Sequence, residues 1–116
     1  MEVFVYGTLK RGQELAYLLE GQTFVGGAAT APRYRLYKLG SFPGMVEVGE
    51  GGASVSGELW SVTPGCLAAL DEVEGVAEHL YERVPVRLLP PYDHHSAETY
   101  LFLGTRRDLE DCGSSW

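Results

Sequence analysis

Glycine constrains the fold of this chain more than any other residue does. The sequence contains 15 glycines among 116 residues, and they separate short stretches that are rich in β-branched and aromatic residues. Because glycine adopts backbone conformations that other residues avoid, it is typical of tight turns, bulges and close approaches of the backbone to a ligand. The distribution of glycine therefore predicts a strand-rich fold with several loops.

Seven of these stretches predict strands, and two others predict short helices. Thr63 is a favourable N-cap, Pro64 suits the first helical position, and Gly75 marks the end of the second helix. Gly26-Gly27 indicates a bulge in the second strand. The pattern predicts an α+β domain with a curled sheet or a barrel. The predicted strands span 2–6, 23–30, 33–39, 45–48, 53–62, 80–89 and 97–103, and the predicted helices span 13–20 and 64–74.

The length of the chain suits one domain and makes a second improbable. We predict that residues 1–104 form this domain and that the polar residues 105–116 form a loosely held tail. Cys66 and Cys112 lie far apart and lack the Cys-x-x-Cys spacing. This arrangement argues against both a zinc site and a disulfide framework.

The chain is acidic, with a net charge of −7 at pH 7 and an isoelectric point of about 4.8. A negative surface repels nucleic acids and anionic membranes, so neither is an expected partner. The longest apolar stretches are far shorter than the ~20 residues of a membrane-spanning helix. The sequence thus predicts a small, soluble, cytoplasmic protein, and it gives no indication of an oligomeric state.

Glu74 differs from the other acidic residues in its position on the second predicted helix. It follows Leu67 by seven residues and Leu70 by four, so it lies on the apolar face of that helix. Partial burial and the negative end of the helix dipole are expected to raise the pKa of its carboxyl group, which would suit a general base. The alternative is a structural ion pair with Arg83 or Arg87 on the following strand.

The segment from Tyr6 to Gly12 leads from the first predicted strand towards the first predicted helix. Gly7 allows backbone N–H groups to turn towards a carboxylate or an oxyanion. Lys10 and Arg11 add two positive charges to this segment of an acidic chain. A glycine between a strand and a helix is a common motif, so the segment is either an anion-binding loop or an ordinary turn.

Several short segments occur in a specific order along nearly the whole chain. They are Tyr6-Gly7-Thr8-Leu9, Phe42-Pro43-Gly44, Gly57-Glu58-Leu59-Trp60, Leu70-Asp71-Glu72-Val73-Glu74-Gly75 and Tyr81-Glu82-Arg83. Together they resemble the gamma-glutamylcyclotransferase-like family, and the short chain is most similar to its compact γ-glutamylamine, or AIG2-like, group. The resemblance implies a small mixed β-barrel with flanking helices.

The same resemblance implies an enzyme, either an amide C–N lyase or an acyltransferase by class. It would close a γ-glutamyl group into 5-oxoproline and release an amine or an amino acid. The α-amine would attack its own side-chain carbonyl, and Glu74 would carry a proton from the attacking ammonium to the leaving nitrogen. No metal and no cofactor are implied.

Roles for further residues follow from the resemblance. The backbone N–H groups of Gly7, Thr8 and Leu9 would bind the substrate's carboxylate or the developing oxyanion. Tyr6 and Tyr81 would form walls of the pocket. The expected partner is therefore a small γ-glutamyl substrate.

Two roles and the identity of the substrate stay open at this point. Tyr81 would donate a hydrogen bond either to the substrate or to Glu74. Arg83 would either orient Glu74 beside the substrate or form an ion pair on the strand surface. Members of the family act on γ-glutamyl amino acids, γ-glutamyl-lysine amines, glutathione or γ-glutamylated biosynthetic intermediates, and the shared motifs do not separate these.

Other interpretations start from other residues. Cys66 lies in the first turn of the second predicted helix, where the dipole can lower the pKa of a nucleophilic thiol. Asp93 beside His94-His95 could bind a metal ion. The domain could also bind a small anion without turnover, or act as a protein–protein module with Trp60 and Trp116 as contact residues.

Overall fold

Residues 1–105 and 108–116 are described by a computed structural model, and they form one curled, mixed sheet with an α-helix packed against it. The predicted α+β class with a curled sheet is confirmed. Eight strands and one α-helix are found in the described residues, together with a 3₁₀ turn at Ala16–Leu19. They are β1 (Glu2–Val5), β2 (Thr23–Ala29), β3 (Tyr34–Lys38), β4 (Pro43–Glu47), β5 (Ser56–Ser61), α1 (Pro64–Val73), β6 (Tyr81–Val86), β7 (Ala97–Phe102) and β8 (Glu110–Gly113).

All seven predicted strands are present, and the second predicted helix is confirmed together with its caps. Thr63 Oγ1 accepts a hydrogen bond from Cys66 N at 3.1 Å, and Gly75 follows the helix with a φ of +68°. The register of β2 against β5 shifts between Phe24 and Gly26, next to the predicted bulge. Local capping and turn chemistry therefore account for these elements.

The first predicted helix is wrong for most of its length. Only the 3₁₀ turn forms within residues 13–20. Leu15 N donates to Thr8 O at 2.8 Å, so the segment is tied back to the loop after β1 in a series of turns. Within it Ala16 N donates to Gln13 O and Leu18 N donates to Leu15 O, three residues back, so the segment follows 3₁₀ turns rather than the four-residue pattern of an α-helix.

The expectation of a loosely held tail is also wrong. Residues 110–113 form β8, which pairs antiparallel with β3. Cys112 and Trp116 pack against the apolar core, and Ser56 N donates to Ser114 O at 2.8 Å. Backbone groups form the hydrogen bonds of this edge strand. The polar side chains of the segment therefore give no indication of the pairing.

Strand β7 has neighbours along both of its edges. On one edge, β6 pairs antiparallel with all of β7. On the other edge, β1 runs parallel to the start of β7, with Glu2 opposite Ala97, and β4 runs parallel to its end, with Met45 opposite Leu101. The sheet therefore splits between the end of β1 and the start of β4. One branch continues from β1 through β5 to β2, and the other continues from β4 through β3 to β8.

The core covers both faces of the sheet. Val3 and Val5 of β1 belong to one apolar cluster, and Phe4 and Tyr6 belong to the other, as the two-residue period of a strand requires. Helix α1 packs the fully buried Leu70 into the first cluster. Each large apolar side chain buried in this way contributes roughly 1.5–3 kcal/mol. Neither helical segment of the described residues is long and apolar enough to cross a membrane.

Gly57→Ala is expected to lower the free energy of unfolding by about 1–3 kcal/mol. A Cβ at this position would collide with the carbonyl oxygen of Val5 and would lie 2.6 Å from Phe4 Cζ. Gly65→Ala in α1 is the control, since its Cβ meets nothing within 4 Å and alanine favours a helix. Urea denaturation of both variants measures the difference, and equal midpoints would contradict the close packing of β5 on β1.

Candidate active site

The end of helix α1 determines where Glu74 lies. Glu74 N donates to Leu70 O at 2.9 Å, and Gly75 N donates to Glu72 O at 3.1 Å. The positive φ of Gly75, which glycine adopts at little cost, then reverses the chain. Glu74 is thereby left at the wall of a cavity between the helix and the sheet.

This cavity has a volume of about 230 Å³ and lies where the sheet splits. It is smaller than the ~300–1,000 Å³ typical of sites for drug-sized ligands. The structure brings six of the seven predicted site residues together here: Tyr6, Gly7, Thr8, Leu9, Glu74 and Tyr81. The other residues that line it are Phe4, Val5, Glu14, Leu15, Ser41, Phe42, Pro43, Val73, Leu80 and Tyr100.

Arg83 is the predicted site residue that lies outside the cavity. Its guanidinium contacts Asp71 Oδ1 at 3.1 Å through Nε and Glu98 Oε1 at 3.1 Å through Nη1. Of the two roles left open for Arg83, the contacts fit an ion pair on the strand surface, and no contact with Glu74 is found among the described residues. The carboxylates of Asp71 on α1 and Glu98 on β7 bind this guanidinium instead.

Glu74 has no ion pair within the described residues, so the alternative of a structural pair with Arg83 or Arg87 is wrong. The carboxyl group is largely buried, and burial raises its pKa from 4.5 to about 7. Removal from water disfavours the charged form, and burial is the one cause of the shift found among the described residues. At neutral pH the group can therefore both accept and donate a proton.

Three tyrosines surround Glu74, and each directs its hydroxyl elsewhere. Tyr6 donates to Tyr100 O at 2.6 Å and accepts from Met45 N at 3.2 Å. Tyr81 donates to Pro43 O at 2.8 Å, so its predicted hydrogen bond to Glu74 is not found. Burial raises the pKa of the Tyr81 phenol, and the nearby charge of Glu74 raises it further. Glu74 thus receives no hydrogen bond from these phenols.

Tyr100 and Asp71 are the residues of this site that the sequence analysis does not identify. Tyr100 lines the cavity and donates to Asp71 Oδ1 at 2.7 Å, and Asp71 also accepts from Arg83. Tyr100 lies opposite Arg83 in the pairing of β6 with β7. Only this strand register brings the group together, so no local sequence signal could have revealed it.

The loop after β1 forms the opposite wall of the cavity. A Cβ at Gly7 would lie 2.5 Å from Pro43 Cγ, so glycine is needed for this close approach. Lys10 N donates to Gly7 O at 3.0 Å and fixes the turn. No acceptor for the N–H groups of Gly7, Thr8 and Leu9 is found in the described part of the chain. Three backbone donors are therefore available to an anion.

The two cations of this loop have structural partners. Arg11 contacts Glu58 Oε2 at 3.1 Å and stacks over the ring of Phe24 at 3.7 Å. Lys10 Nζ donates to Trp116 O at 3.0 Å. Neither residue lines the cavity. Any anion bound here would depend on backbone donors rather than on these side chains.

The alternative sites receive little support from the geometry. Burial raises the pKa of the Cys66 thiol, which is the opposite of what an activated nucleophile needs. His95 contacts Glu2 at 2.7 Å, and His94 contacts Asp93 at 3.6 Å. Among the described residues, no group of three side chains is placed to hold a metal ion.

The tryptophans do not form an exposed contact surface. Trp60 is 8% exposed, packs edge-on against Phe24 and donates to Glu58 Oε1 at 3.2 Å. Trp116 is half-buried against the second apolar cluster. This placement disfavours the protein–protein module.

Residues 3–116 match the sequence profile of the gamma-glutamyl cyclotransferase, AIG2-like family. The chain belongs to this family. Four of the five segments that carry the resemblance contribute residues to the cavity wall, notably the loop after β1 and the end of α1, whereas Gly57-Glu58-Leu59-Trp60 does not.

Individual relatives agree with this membership. A Vibrio cholerae protein assigned to the gamma-glutamylcyclotransferases is 45% identical over 74 residues, which cover 64% of this chain and 62% of that protein. Gamma-glutamylaminecyclotransferase A of Danio rerio is 37% identical over 95 residues, 76% of this chain and 58% of the relative. The matches thus span less than two thirds of either relative. The solution structure of Escherichia coli YtfP superimposes with a TM-score of 0.76 at 28% identity, covering 100% of this chain and 96% of that one.

Glu74→Gln is expected to stabilise the protein at alkaline pH. The unfolded chain releases the Glu74 proton near pH 4.5, and the folded chain releases it at about pH 7. Stability therefore falls as pH rises between these values, by up to about 3 kcal/mol, and glutamine avoids this loss. Urea denaturation at about pH 4 and about pH 8 measures the effect. The exposed Glu72→Gln is the control, and an equal pH dependence of Glu74→Gln and wild type would contradict the burial of the charge.

Proposed function

We propose that this chain is a cyclotransferase that converts a γ-glutamyl group into 5-oxoproline and releases an amine, with Glu74 as general acid and base. The observation that supports this most directly is the Glu74 carboxyl group, which has no ion pair in the described part of the chain and whose pKa of about 7 suits proton transfer at neutral pH. A site that only bound carboxylates would gain nothing from a buried negative charge of its own, because that charge would repel the ligand.

The reaction balances with one residue as proton carrier. Glu74 removes a proton from the α-ammonium group of the substrate, and the freed amine nitrogen attacks the γ-carbonyl carbon. A C–N bond forms in the five-membered ring, and the bond to the leaving nitrogen then breaks. Glu74 returns its proton to the leaving nitrogen, and the second proton lost by the attacking nitrogen also ends on the released amine, as its ammonium form. No net proton is consumed.

The loop of Gly7, Thr8 and Leu9 supplies the electrostatic part of the mechanism. Its free N–H groups would bind the substrate's α-carboxylate or the oxyanion that develops on the carbonyl oxygen. A well-placed donor of this kind is worth about 2.7–4 kcal/mol in transition-state stabilisation. Because Pro43 holds Gly7 at close range, the donors need little reorganisation when the substrate binds.

The tyrosine walls supply the geometric part. Tyr6, Tyr81 and Tyr100 are each less than a tenth exposed and have their hydroxyls bound to neighbouring groups. Rigid walls of this kind favour a substrate folded for ring closure, and proximity is a large part of the rate in intramolecular reactions. The name of the Danio rerio relative suggests that the released group is an amine.

Glu74→Gln is expected to reduce kcat by about 10²–10⁴-fold, because glutamine keeps the shape and cannot carry the proton. The measurement is release of 5-oxoproline from a panel of γ-glutamyl amines and γ-glutamyl dipeptides. Glu72→Gln, exposed on the same helix, should retain wild-type turnover. Equal product from wild type and Glu74→Gln would remove Glu74 from the mechanism. Product from neither, with the substrates still bound, would favour a binding domain.

The pH dependence of kcat/KM provides a separate test. A base must be deprotonated to act, so activity should rise with pH and reach half of its plateau near the Glu74 pKa of about 7. An exposed glutamate would place this limb near its ordinary value of about 4.3. Rates are measured in buffers of constant ionic strength, at a limiting substrate concentration for kcat/KM and at a saturating one for kcat. The pH at which kcat/KM reaches half of its plateau then distinguishes a buried from an exposed glutamate. An acidic limb near the lower value would contradict the proposed base.

A further inference from the structure

The hydroxyl group of Tyr100 differs from the other two phenols of the cavity in the acceptor that it uses. Tyr6 donates to a backbone carbonyl oxygen of β7, and Tyr81 donates to a backbone carbonyl oxygen of β4. Tyr100 instead donates to a side chain, the carboxylate of Asp71, at 2.7 Å. A phenol has a single proton to donate. The direction of the Tyr100 hydroxyl therefore depends on one residue that can be substituted while the backbone is kept.

Glu74 lies close to the same phenol. It follows Asp71 by three residues at the end of α1, a spacing that places two side chains next to each other on a helix. Tyr100 and Glu74 both line the cavity. Burial raises the pKa of the Tyr100 phenol, the hydrogen bond to Asp71 adds to this effect, and the nearby charge of Glu74 raises the pKa further. The hydroxyl thus has two carboxylates nearby and donates to one of them.

Arg83 accounts for the choice between these two acceptors. Its Nε contacts Asp71 Oδ1, the same oxygen that accepts from Tyr100, at 3.1 Å, and its Nη1 contacts Glu98 on β7 at 3.1 Å. The guanidinium therefore holds the Asp71 carboxylate in one orientation. Hydrogen bonds to ionised acceptors are shorter and stronger than those to neutral acceptors. Glu74, whose pKa is about 7, is partly protonated at neutral pH and is the weaker acceptor.

A hydrogen bond from Tyr100 to Glu74 would work against the proposed mechanism. It would stabilise the charged form of the carboxylate and so lower its pKa. Glu74 would then be a weaker base, and one of its oxygens would be occupied when the substrate ammonium has to approach. Donation to Asp71 avoids both effects.

The other titratable groups that face Glu74 come from three further segments. Among the described residues that line the cavity they are Tyr6 after β1, Glu14 in the turns that follow, and Tyr81 at the start of β6. The protons of Tyr6 and Tyr81 are bound to backbone oxygens. Glu14 is exposed and, when ionised, has no proton to donate. Of the three phenols, Tyr100 is therefore the one whose donation a side chain controls.

On the basis of the proposed cyclotransferase reaction, we propose that Asp71 is a positioning residue of the active site. Its carboxylate, held by Arg83, retains the Tyr100 hydroxyl and so withholds this donor from Glu74. Asp71 itself does not line the cavity. It acts on the proton carrier through Tyr100, and the ion pair of Asp71 with Arg83 thereby serves the reaction as well as the packing of α1 on the sheet.

Asp71→Ala and Asp71→Asn separate the hydrogen bond from the charge. Both variants lose the negative charge, but only asparagine keeps an oxygen that can accept from Tyr100. In Asp71→Ala the released hydroxyl donates to Glu74, so the Glu74 pKa should lie about one unit lower than in Asp71→Asn. Carbon NMR of the carboxyl groups against pH measures this pKa, and the Glu74 signal is the one that is absent from Glu74→Gln. Equal Glu74 pKa values in the two variants would overturn the role of Asp71.

Tyr100→Phe identifies the donor. On its own it should leave the Glu74 pKa unchanged, because the hydroxyl that it removes is bound to Asp71. Combined with Asp71→Ala, it should return the Glu74 pKa to the value of Asp71→Asn. A raised Glu74 pKa in Tyr100→Phe alone would show that the hydroxyl already serves Glu74, which would overturn the proposal. Because phenylalanine keeps the buried ring, this single variant is decisive even if Asp71→Ala does not fold.

The pH profile of turnover distinguishes positioning from a loss of stability. The acidic limb of kcat/KM should lie about one pH unit lower in Asp71→Ala than in Asp71→Asn, and the plateau should be up to about tenfold lower because the base is weaker. A merely structural role of Asp71 would lower the rate by the same factor at every pH. Glu98→Gln is the matched control, since Glu98 shares Arg83 with Asp71 and does not accept from Tyr100. An equal shift of the limb in Glu98→Gln would assign the effect to the charge of Arg83 and overturn the role of the hydroxyl.

The positioning role and the reaction can fail separately, because the NMR titration needs no substrate. A Glu74 pKa that responds to Asp71→Ala as expected, with no 5-oxoproline from wild type, would overturn the reaction and keep the control of Tyr100 by Asp71. Release of 5-oxoproline by wild type, with equal Glu74 pKa values in Asp71→Ala and Asp71→Asn, would keep the reaction and overturn the positioning role.

Discussion

The hydroxyl group of Tyr6 holds together the point at which the sheet divides. It donates to the carbonyl oxygen of Tyr100 in β7 and accepts from the N–H group of Met45 in β4. A side chain thus takes the place of backbone pairing where β1 ends and β4 begins. Buried backbone groups need partners, so without this hydroxyl the gap would have to close or admit water. The gap is also the cavity, and the Tyr6 bridge joins three of the chain segments that form its walls.

Among the described residues, the side chains next to Glu74 have hydrogen-bond or ionic partners, whereas its own carboxylate has no ion pair. Asp71 accepts from Tyr100 and pairs with Arg83, and Arg83 also pairs with Glu98. The Tyr100 hydroxyl and the Arg83 guanidinium therefore donate to other carboxylates and not to Glu74. The raised pKa of Glu74 costs stability at neutral pH, and in the proposed mechanism this cost keeps the proton carrier uncompensated, as is common at active sites.

The sequence predicted the parts of the structure that depend on local chemistry. The cap of α1, the reversal at Gly75 and the position of Glu74 on the apolar face follow from spacing and residue type. The contacts of Arg83 and the role of Tyr100 did not follow, because strand register determines them. The strand at Glu110–Gly113 was missed since an edge strand with a polar face has no apolar period. Residues 13–20 form turns and a 3₁₀ segment instead of the expected helix, and the bond from Leu15 N to Thr8 O ties them to a loop that no local pattern pairs with them.

The arrangement of β7 has a consequence for how the protein folds. Its partners β1 and β4 are distant from it in sequence, and the cavity residues Tyr6, Pro43 and Tyr100 belong to three of these separate segments. Topologies with many such distant pairings fold slowly, because loops must close before their contacts are gained. A chain that has not yet joined β1 and β4 to β7 has no partial form of the site. Folding and formation of the cavity are then expected to be a single cooperative event.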